Sequence, residues 1–348
     1  MHIILVADFT SNSSLNSQSG PNALADGMLS QIQWWHNANS EVLPLSKLNP
    51  LRTFMQWKNS RQMDTYIGAE LDKRYEEYKT DPNSVSGVSV IDLVFRAYLS
   101  GPYKSSTPPQ KLDKDFRALA IRQIRLFVFA GHDSTASSIC YTFHALSKNA
   151  GALARLRAEH DQVLGTDPAA AAHKIAANPR LVNELPFTLA VIKEAMRMHP
   201  PAGASRDGVP GVNLTDDAGN QCPTDDTILW VLHNEVHTWE KYWVRGNEFL
   251  PERWTVGEEH ELYPWPGTWR PFEMGPRNCI AQAMVLVELR VVLACLARTF
   301  DVRPAYEEWD GIRGVKGVRV KGERAYQVEQ GAAHPVGGYP CRVTLVES

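Results

Sequence analysis

One cysteine, Cys279, has neighbours that could give it chemistry. It ends the stretch R-P-F-E-M-G-P-R-N-C, residues 270–279, and an apolar segment with helical spacing follows it. Gly275 and Pro276 favour a tight turn before the cysteine. We therefore predict that Cys279 lies at the N-terminus of the last strong helix, residues 280 to about 299. Unsatisfied N–H groups and the helix dipole stabilise a thiolate at such a position.

Three roles are open for this cysteine. Most buried free cysteines pack as small hydrophobic side chains. A nucleophilic role requires a histidine base and a third residue that orients the base, and no local sequence signature supplies them. A metal role suits haem iron, because that iron needs a single protein ligand below the porphyrin ring.

A second candidate group interrupts the longest predicted helix, residues 113 to about 148. The run from Ala130 to Thr135 reads A-G-H-D-S-T. Glycine inside a helix costs about 1 kcal/mol of helix stability relative to alanine, so a glycine at position 131 indicates a specific packing or functional role. The Thr135 hydroxyl can donate to the Gly131 carbonyl and loosen the helix locally. A small-residue notch beside Thr135 and Asp133 could seat a small ligand and supply protons; a packing notch for a crossing helix is the alternative.

Two further groups are weak signals when each is taken alone. Glu194 and Arg197 form an i,i+3 pair, which is typical of a solvated surface pair that contributes little to stability. Arg253 lies among aromatic and proline residues in F-L-P-E-R-W, residues 249–254. An arginine in that setting could be a buried, bidentate partner of a carboxylate.

Taken in order along the chain, these groups resemble the motifs of the cytochrome P-450 family of haem-thiolate monooxygenases. The family's cysteine signature, F-x-x-G-x-R-x-C-x-G, is matched by Phe272, Gly275, Arg277 and Cys279, with Ala281 in place of the last glycine. This alanine is a mild departure from the family motif, and the resemblance implies slightly altered packing of the following helix against the haem ring.

The other family motifs match in register. The oxygen-site motif A-G-x-D-[ST]-T is matched without a mismatch by Ala130, Gly131, Asp133, Ser134 and Thr135. The E-x-x-R motif is matched by Glu194 and Arg197, and the later arginine of that triad by Arg253. The basic residue that meets a haem propionate after the proline turn is best matched by Arg206.

The resemblance implies a role for each matched residue. Cys279 would bind the iron of heme b (iron-protoporphyrin IX) as a thiolate, and Phe272 and Gly275 would be cofactor-binding residues of the cysteine motif. Arg277 and Arg206 would pair with the propionates. Glu194, Arg197 and Arg253 would hold the loop. Asp133 and Thr135 would relay protons, and the Ala130–Gly131 notch would make room for dioxygen. Electrons would come from NADPH through a flavoprotein, the NADPH-cytochrome reductase.

The implied function is a monooxygenase that inserts one oxygen atom into a hydrophobic small molecule, such as a fungal polyketide-type secondary metabolite. The pocket would include Phe127, Phe129, residues 202–205 and residues 332–334. One alternative is a haem-thiolate isomerase or dehydratase, although such members tend to lose the acid–alcohol pair that is present here. Another is a non-catalytic product that fails to hold haem.

The composition of the chain argues against several other kinds of protein. The chain has 348 residues, 43% of them hydrophobic and 22% charged, and a formal net charge of −3, so nothing indicates a nucleic-acid partner. Its five cysteines are scattered without a C-x-x-C pair, which argues against zinc ribbons and disulfide frameworks. No segment is long and apolar enough for a membrane anchor or signal sequence. The family implies the endoplasmic reticulum membrane, and membrane association stays open.

The predicted fold class is mostly α with a minor β part. Helical spacing predicts helices over residues 52–79, 91–99, 113–148, 151–164 and 181–198. Residues 205–233 are predicted to form short strands, with a hairpin at residues 217–220 and a buried strand over residues 227–232. The resemblance implies a cytochrome P-450 fold lacking its N-terminal portion, and residues 1–348 would form a single haem-thiolate domain, incomplete at the N-terminus.

Overall fold

The computed structural model describes residues 23–39, 49–81, 90–100 and 110–346. Within these ranges the chain is mostly helical with four two-stranded antiparallel sheets, which confirms the predicted fold class. The chain divides into two compact units, residues 1–133 and 134–348. A short apolar run at residues 3–7 and the stretch S-S-T-P-P, residues 105–109, where the sequence predicts a break between helices, lie outside the described residues.

The helices follow the predicted order. They are α1 Ala23–Asn39, α2 Pro50–Thr80, α3 Val90–Ser100, α4 Lys114–Lys148, α5 Ala150–Leu164, α6 Ala171–Ala177, α7 Pro186–Met198, α8 His233–Thr238, α9 Gln282–Leu296 and α10 Tyr306–Arg313. Helix α4 begins in the first unit and ends in the second. Among the described residues, no helix combines the length and the apolar character needed to cross a bilayer.

Four helices, α1, α6, α8 and α10, were not predicted, and one predicted helix is divided. Helix α1 lies in a polar, Ser- and Asn-rich segment for which no helix was predicted, and its buried Leu24 and Met28 are four residues apart on one face. Helix α6 overlaps the stretch D-P-A-A-A-A, residues 167–172, which the sequence predicts to be a turn. The helix predicted over residues 181–198 is a 3-10 helix, Pro179–Glu184, followed by α7. Pro186 separates them because it has no N–H to continue the ladder and favours the first turn of a new helix.

The strands pair in four antiparallel ladders. Strand β1 (Ala204–Asp207) pairs with β4 (Ile228–Val231), and β2 (Asn213–Thr215) pairs with β3 (Gln221–Pro223) across the predicted hairpin. Strand β5 (Phe300–Pro304) pairs with β8 (Cys341–Leu345), and β6 (Gln327–Gln330) pairs with β7 (Ala332–Pro335).

The prediction that residues 227–232 form a buried strand is correct for the strand and wrong for its burial. Ile228, Trp230 and Leu232 are 73%, 55% and 61% exposed. In the part of the chain that the structure describes, β4 is hydrogen-bonded to β1 alone. Alternate side chains of a strand share one face, so these three apolar residues lie on an uncovered face of a two-stranded sheet.

The core of the first unit lies between helices α1 to α4. Leu71 and Phe95 are completely buried, and the ring of Tyr75 stacks on Phe95 with centroids 6.1 Å apart. Two ion pairs link α2 to α4: Arg117 with Asp72, and Arg125 with Asp64, joined by atoms 2.8 and 2.9 Å apart.

The core of the second unit surrounds helix α7, which packs against α5 and α9. Val191 of α7 and Leu156 of α5 are fully buried there. The first turn of α7 also has an acidic partner, because the Glu159 carboxylate accepts hydrogen bonds from the backbone N–H groups of Phe187 and Thr188. An anion at that end satisfies orphan donors and complements the helix dipole. Helix α7 is therefore fixed on several sides, which matters because it carries the E-x-x-R residues.

We predict that replacing Leu71 of α2 by alanine destabilises the first unit by about 2–5 kcal/mol, since the cavity it leaves is in a dry core. The same change at Leu51, which is 51% exposed on the same helix, should change stability by no more than about 0.5 kcal/mol. Denaturant unfolding of both variants checks this, and equal effects at the two positions would contradict the core assignment.

Candidate functional site

The cysteine loop consists of residues 272–281. The backbone N–H of Cys279 donates to the Phe272 carbonyl over 2.8 Å, which closes the loop, and Gly275 has a φ of 82° that favours glycine. Cys279 lies three residues before α9 rather than within it, since that helix begins at Gln282 with Ala281 as its cap. The predicted position at the start of the helix is thus confirmed to within one turn. The thiol is half-buried.

The side chains around the cysteine face in opposite directions. Phe272 is only 8% exposed and belongs to the core of the second unit. Arg277 and Ile280 are exposed, Ile280 completely. The loop is therefore anchored inside the protein at one end, and Cys279 packs against the core of the second unit while its sequence neighbours Arg277 and Ile280 are exposed.

The E-x-x-R pair is one of the most buried ionic groups in the described structure. Glu194 and Arg197 are fully buried, and the two carboxylate oxygens accept from Nη2 and Nε of Arg197, each over 2.9 Å. The expectation of a solvated surface pair, which holds for isolated i,i+3 pairs, is wrong here. Arg253 is also buried and donates to Glu194, but through Nε alone at 3.2 Å, so the predicted bidentate contact is not formed.

Two more donors complete the shell around the Glu194 carboxylate. The indole N–H of Trp254 and the backbone N–H of Leu250 donate to it over 3.1 and 2.9 Å. Arg197 in turn donates to the carbonyls of Gly246 and Glu248 over 2.7 and 2.9 Å. Helix α7 is thereby tied to the irregular segment of residues 246–254, and each buried charge is paired and hydrogen-bonded as burial requires.

His237 connects this ion-pair network to the cysteine loop, a contact that sequence reasoning missed. Its Nδ1 lies 2.9 Å from the Arg197 carbonyl, and its Nε2 accepts from the Arg270 N–H over 2.9 Å. These partners require a neutral ring protonated at Nδ1. Burial lowers the pKa of His237 to about 3, in agreement with that state. His233 and His237 are the two histidines of the stretch H-N-E-V-H, residues 233–237, and both lie on helix α8. Their spacing of four residues, each next to an apolar residue, was the feature of the sequence that could have pointed to this contact.

The predicted oxygen-site residues occupy the middle of α4. Ala130, Gly131 and Asp133 belong to the first unit, and of these Asp133 is buried at 7% exposure. Thr135 belongs to the second unit, and its buried hydroxyl has no hydrogen-bond partner among the described atoms. The prediction that this hydroxyl bonds the Gly131 carbonyl is therefore wrong. An unpaired buried hydroxyl is costly, and no described protein group offsets that cost at Thr135.

Two of the three segments predicted to line a pocket, the stretch after α7 and the β6–β7 hairpin, meet at Ala333 of β7. Its backbone N–H donates to the Pro201 carbonyl over 2.8 Å, and its carbonyl accepts from the Ser137 hydroxyl over 2.5 Å. The stretch after α7, the second half of α4 and the β6–β7 hairpin are thus joined. In the first unit, Phe127 and Phe129 are partly buried and pack against its core.

A carboxylate that the sequence did not single out, Glu273, lies within the cysteine signature. It accepts from Nε2 of His233 over 2.7 Å and from Arg270 over 2.9 Å. Arg206 of β1 is 47% exposed, with Nη2 3.9 Å from a Glu273 oxygen. Burial alone would raise the pKa of Glu273, yet the bonds from His233 and Arg270 lower it below its ordinary value.

The donor set of this site suits haem better than a protein-caged ion. No group of three or more His, Cys, Asp or Glu among the described residues could hold a metal, so Cys279 would be a lone thiolate ligand, as haem iron requires. The exposed guanidinium groups of Arg206 and Arg277 are suited to carboxylate groups, which haem carries as propionates. The buried, unpaired hydroxyl of Thr135 adds a polar group without a protein partner.

We predict that Glu194→Gln costs about 3–5 kcal/mol of stability, because it leaves the buried charges of Arg197 and Arg253 without a counter-ion. Glu252→Gln is the matched control, since Glu252 pairs with Arg155 at the surface, where both side chains are about half exposed, and should cost at most about 1 kcal/mol. Denaturant unfolding compares the two, and a Glu194 variant as stable as the control would contradict the network.

We also predict that His237 contributes to acid sensitivity. Its pKa is about 3 in the fold against an ordinary 6.5, so between these values the unfolded chain binds the extra proton and the free energy of unfolding decreases as pH falls. The slope contributed is about 1.4 kcal/mol per pH unit. Unfolding of His237→Asn between pH 6 and 5 should lose this slope, whereas the exposed His173→Asn should keep it. Identical slopes in both variants would contradict the assignment.

Comparison with known proteins bears on these motifs. The family model described as cytochrome P-450 matches residues 22–319. The cytochrome P-450 monooxygenase polC of Polytolypa hystricis is 40% identical over 336 residues, which is 95% of this chain and 59% of that protein. The cytochrome P-450 monooxygenase acrF of Aspergillus aculeatus is 31% identical over 322 residues, covering 86% of this chain and 63% of that protein. The chain spans about three fifths of the length of these curated relatives.

The fold agrees with solved structures. A crystal structure of a cytochrome P-450 aligns with a TM-score of 0.70 at 20% identity, covering 99% of this chain and 69% of that one. The crystal structure of the heme domain of cytochrome P-450DA gives a TM-score of 0.68 at 15% identity, covering 96% and 63%. At such identities the likeness establishes the fold, which is the fold predicted from the motifs. With the family model matching most of its length, this chain belongs to the cytochrome P-450 family.

Proposed function

We propose that this chain provides the catalytic centre of a haem-dependent monooxygenase, which inserts one oxygen atom from dioxygen into a hydrophobic small molecule. The observation that carries the proposal is the cysteine loop: a single cysteine, Cys279, is fixed by the bond from its N–H to the Phe272 carbonyl and follows the exposed Arg277 by two residues. Two curated relatives that match most of this chain are named as fungal cytochrome P-450 monooxygenases, which supports the same reaction class.

The cofactor is heme b, and bound haem iron supplies the activation of dioxygen. Cys279 would hold the iron through its thiolate. Arg206 and Arg277 would bind the two propionates, since their guanidinium groups are accessible and planar donors of this kind match carboxylates. Phe272 and Gly275 would keep the cysteine loop in shape for the cofactor, Phe272 through its carbonyl and Gly275 through its left-handed turn.

Protons for the reaction pass through Asp133 and Thr135. Both side chains are buried, and the Thr135 hydroxyl has no protein partner in the described structure, so it is available to donate to a molecule in the site. Asp133, two residues earlier, resupplies the proton. The small residues Ala130 and Gly131 leave room for dioxygen along the same turn.

The substrate is a hydrophobic molecule of moderate size, of the polyketide-type class of fungal secondary metabolites. Supporting this, the segments that join at Ala333 present small and apolar residues, among them Ala202 and Ala332. Pockets lined in this way select by shape and apolar contact, with few polar groups to fix orientation.

Electrons come from NADPH through a flavoprotein reductase. The cysteine loop borders an open cavity of about 420 Å³. Trp265 and Met274, which are 60% and 48% exposed, line it. Exposed aromatic and methionine side chains are enriched where proteins dock. Docking at this cavity brings a partner close to the thiolate, as electron transfer requires. Residues 1–348 act together as one haem-thiolate domain in this proposal.

The alternative of a haem-thiolate isomerase or dehydratase has no observation in its favour. The acid–alcohol pair Asp133 and Thr135 is intact, and such a pair serves proton delivery during dioxygen activation, which a rearrangement does not need. The non-catalytic alternative predicts a chain that stays colourless after reconstitution with hemin. A coloured protein that forms product without consuming dioxygen would instead support the isomerase.

The proposed reaction predicts the behaviour of Thr135→Ala. In an assay with reductase, NADPH and an extract of apolar fungal metabolites under isotopically labelled dioxygen, the variant should lose coupled product formation on the order of a hundredfold. NADPH consumption should persist as peroxide release, because electrons still arrive.

Two variants serve as controls for this assay. Thr135→Ser keeps the hydroxyl and should retain coupling. Thr142→Ala removes a hydroxyl of the same helix that already donates to the Ser138 carbonyl, and should not uncouple the reaction. Unchanged label incorporation in Thr135→Ala would rule out the proton role assigned to this residue.

A further inference from the structure

Glu273 has an unfavourable backbone conformation next to the cysteine loop's closing bond. Its φ is 58°, in the left-handed region that side chains with a Cβ rarely adopt and that glycine adopts freely. Glu273 is neither a glycine nor one of the short polar residues that tolerate this region. A residue held there needs compensating interactions from its surroundings.

The compensation comes from the carboxylate. One oxygen accepts from Nε2 of His233 over 2.7 Å, and the other accepts from Arg270 over 2.9 Å. The second oxygen also lies 3.3 Å from the Met274 N–H. The Glu273 side chain is only 14% exposed and that of His233 only 3%, so these bonds are shielded from water and strong.

The conformation of Glu273 determines where the preceding carbonyl points. The Phe272 carbonyl belongs to the peptide unit that ends at the nitrogen of Glu273, and rotation about φ of Glu273 turns that unit. This carbonyl accepts the Cys279 N–H over 2.8 Å. We call the hydrogen bonds from His233 and Arg270 to the Glu273 carboxylate the clamp. The clamp and the hydrogen bond donated by the Cys279 N–H are therefore mechanically linked through φ of Glu273.

The clamp also contacts the two groups that flank the loop. Arg270 carries the N–H bonded to His237, and so connects the clamp to the buried network around Glu194. On the other side, Arg206 lies 3.9 Å from the carboxylate. An anion at this point orients the exposed guanidinium group without neutralising it fully.

We propose that Glu273 is a positioning residue of the cysteine loop. Its side chain, held by His233 and Arg270, keeps residue 273 in the left-handed conformation, aims the Phe272 carbonyl at the Cys279 N–H, and orients Arg206. The effect on the loop is independent of haem. The effect on haem retention rests on the proposed function.

The decisive experiment measures hydrogen exchange of the Cys279 amide in the full chain without haem. Glu273→Ala keeps the backbone penalty and removes the clamp, and should raise the exchange rate about tenfold, as expected for loss of charged hydrogen bonds. Glu273→Gly also removes the clamp but adopts the same φ freely, and should raise the rate clearly less. Glu261→Ala, at an exposed acidic residue of the same region, should leave the rate unchanged.

Two results would overturn the proposal. Wild-type protection in Glu273→Ala would mean that the clamp does not hold the loop. Equal loss of protection in the alanine and glycine variants would mean that the left-handed backbone is not what the clamp maintains. If the alanine variant does not fold while the glycine variant does, the strain argument is supported directly.

A double-mutant cycle identifies the partner. His233→Gln alone should raise the exchange rate, and combining it with Glu273→Ala should add little, because both changes remove the same bond. Fully additive effects would contradict the pairing. The rate of haem transfer to an acceptor protein, faster in Glu273→Ala, then tests the role toward haem. If the wild-type chain takes up no haem, the proposed function fails while the exchange results still decide the loop proposal.

Discussion

The structure depends on a carboxylate, Glu194, that is completely buried and accepts hydrogen bonds from two arginines, an indole and a backbone amide. A buried charge of this kind adds little net stability compared with a packed apolar group, but its loss is costly because its partners remain charged. Its value is geometric. Through Arg197 and Arg253, it ties helix α7 to residues 246–254.

That arrangement reaches the cysteine in a few steps of backbone hydrogen bonding. His237 joins the Arg197 carbonyl to the Arg270 N–H, and from Arg270 the chain continues into the loop that ends at Cys279. A neutral histidine bonded at both nitrogens is directional, so it transmits position without adding charge. The chemistry proposed for Cys279 requires mainly that the cysteine loop hold the thiolate in a fixed direction. The packed residues at the two ends of the loop provide this.

Most of the architecture follows from sequence periodicity, and the exceptions have physical causes. The helices α2 and α4 were predictable because apolar residues recur at helical spacing over thirty residues or so. Burial was not predictable for β4, since Trp230 and its neighbours are apolar yet lie on a face that no described strand covers. The Glu194 pair looked like a surface pair because an i,i+3 spacing carries no information about depth. Glu273 escaped notice because its role depends on a backbone torsion, which motif spacing does not encode.

The central claim is that Cys279 ligates haem iron as a thiolate held by this loop. The most direct measurement is the absorbance difference between dithionite-reduced protein with and without carbon monoxide, after reconstitution with hemin. The account predicts a thiolate-type Soret shift in the wild-type chain and its loss in Cys279→Ser, with the far-ultraviolet circular dichroism unchanged. A shift that survives in Cys279→Ser, or a wild-type chain that binds haem without any thiolate-type band, would contradict it.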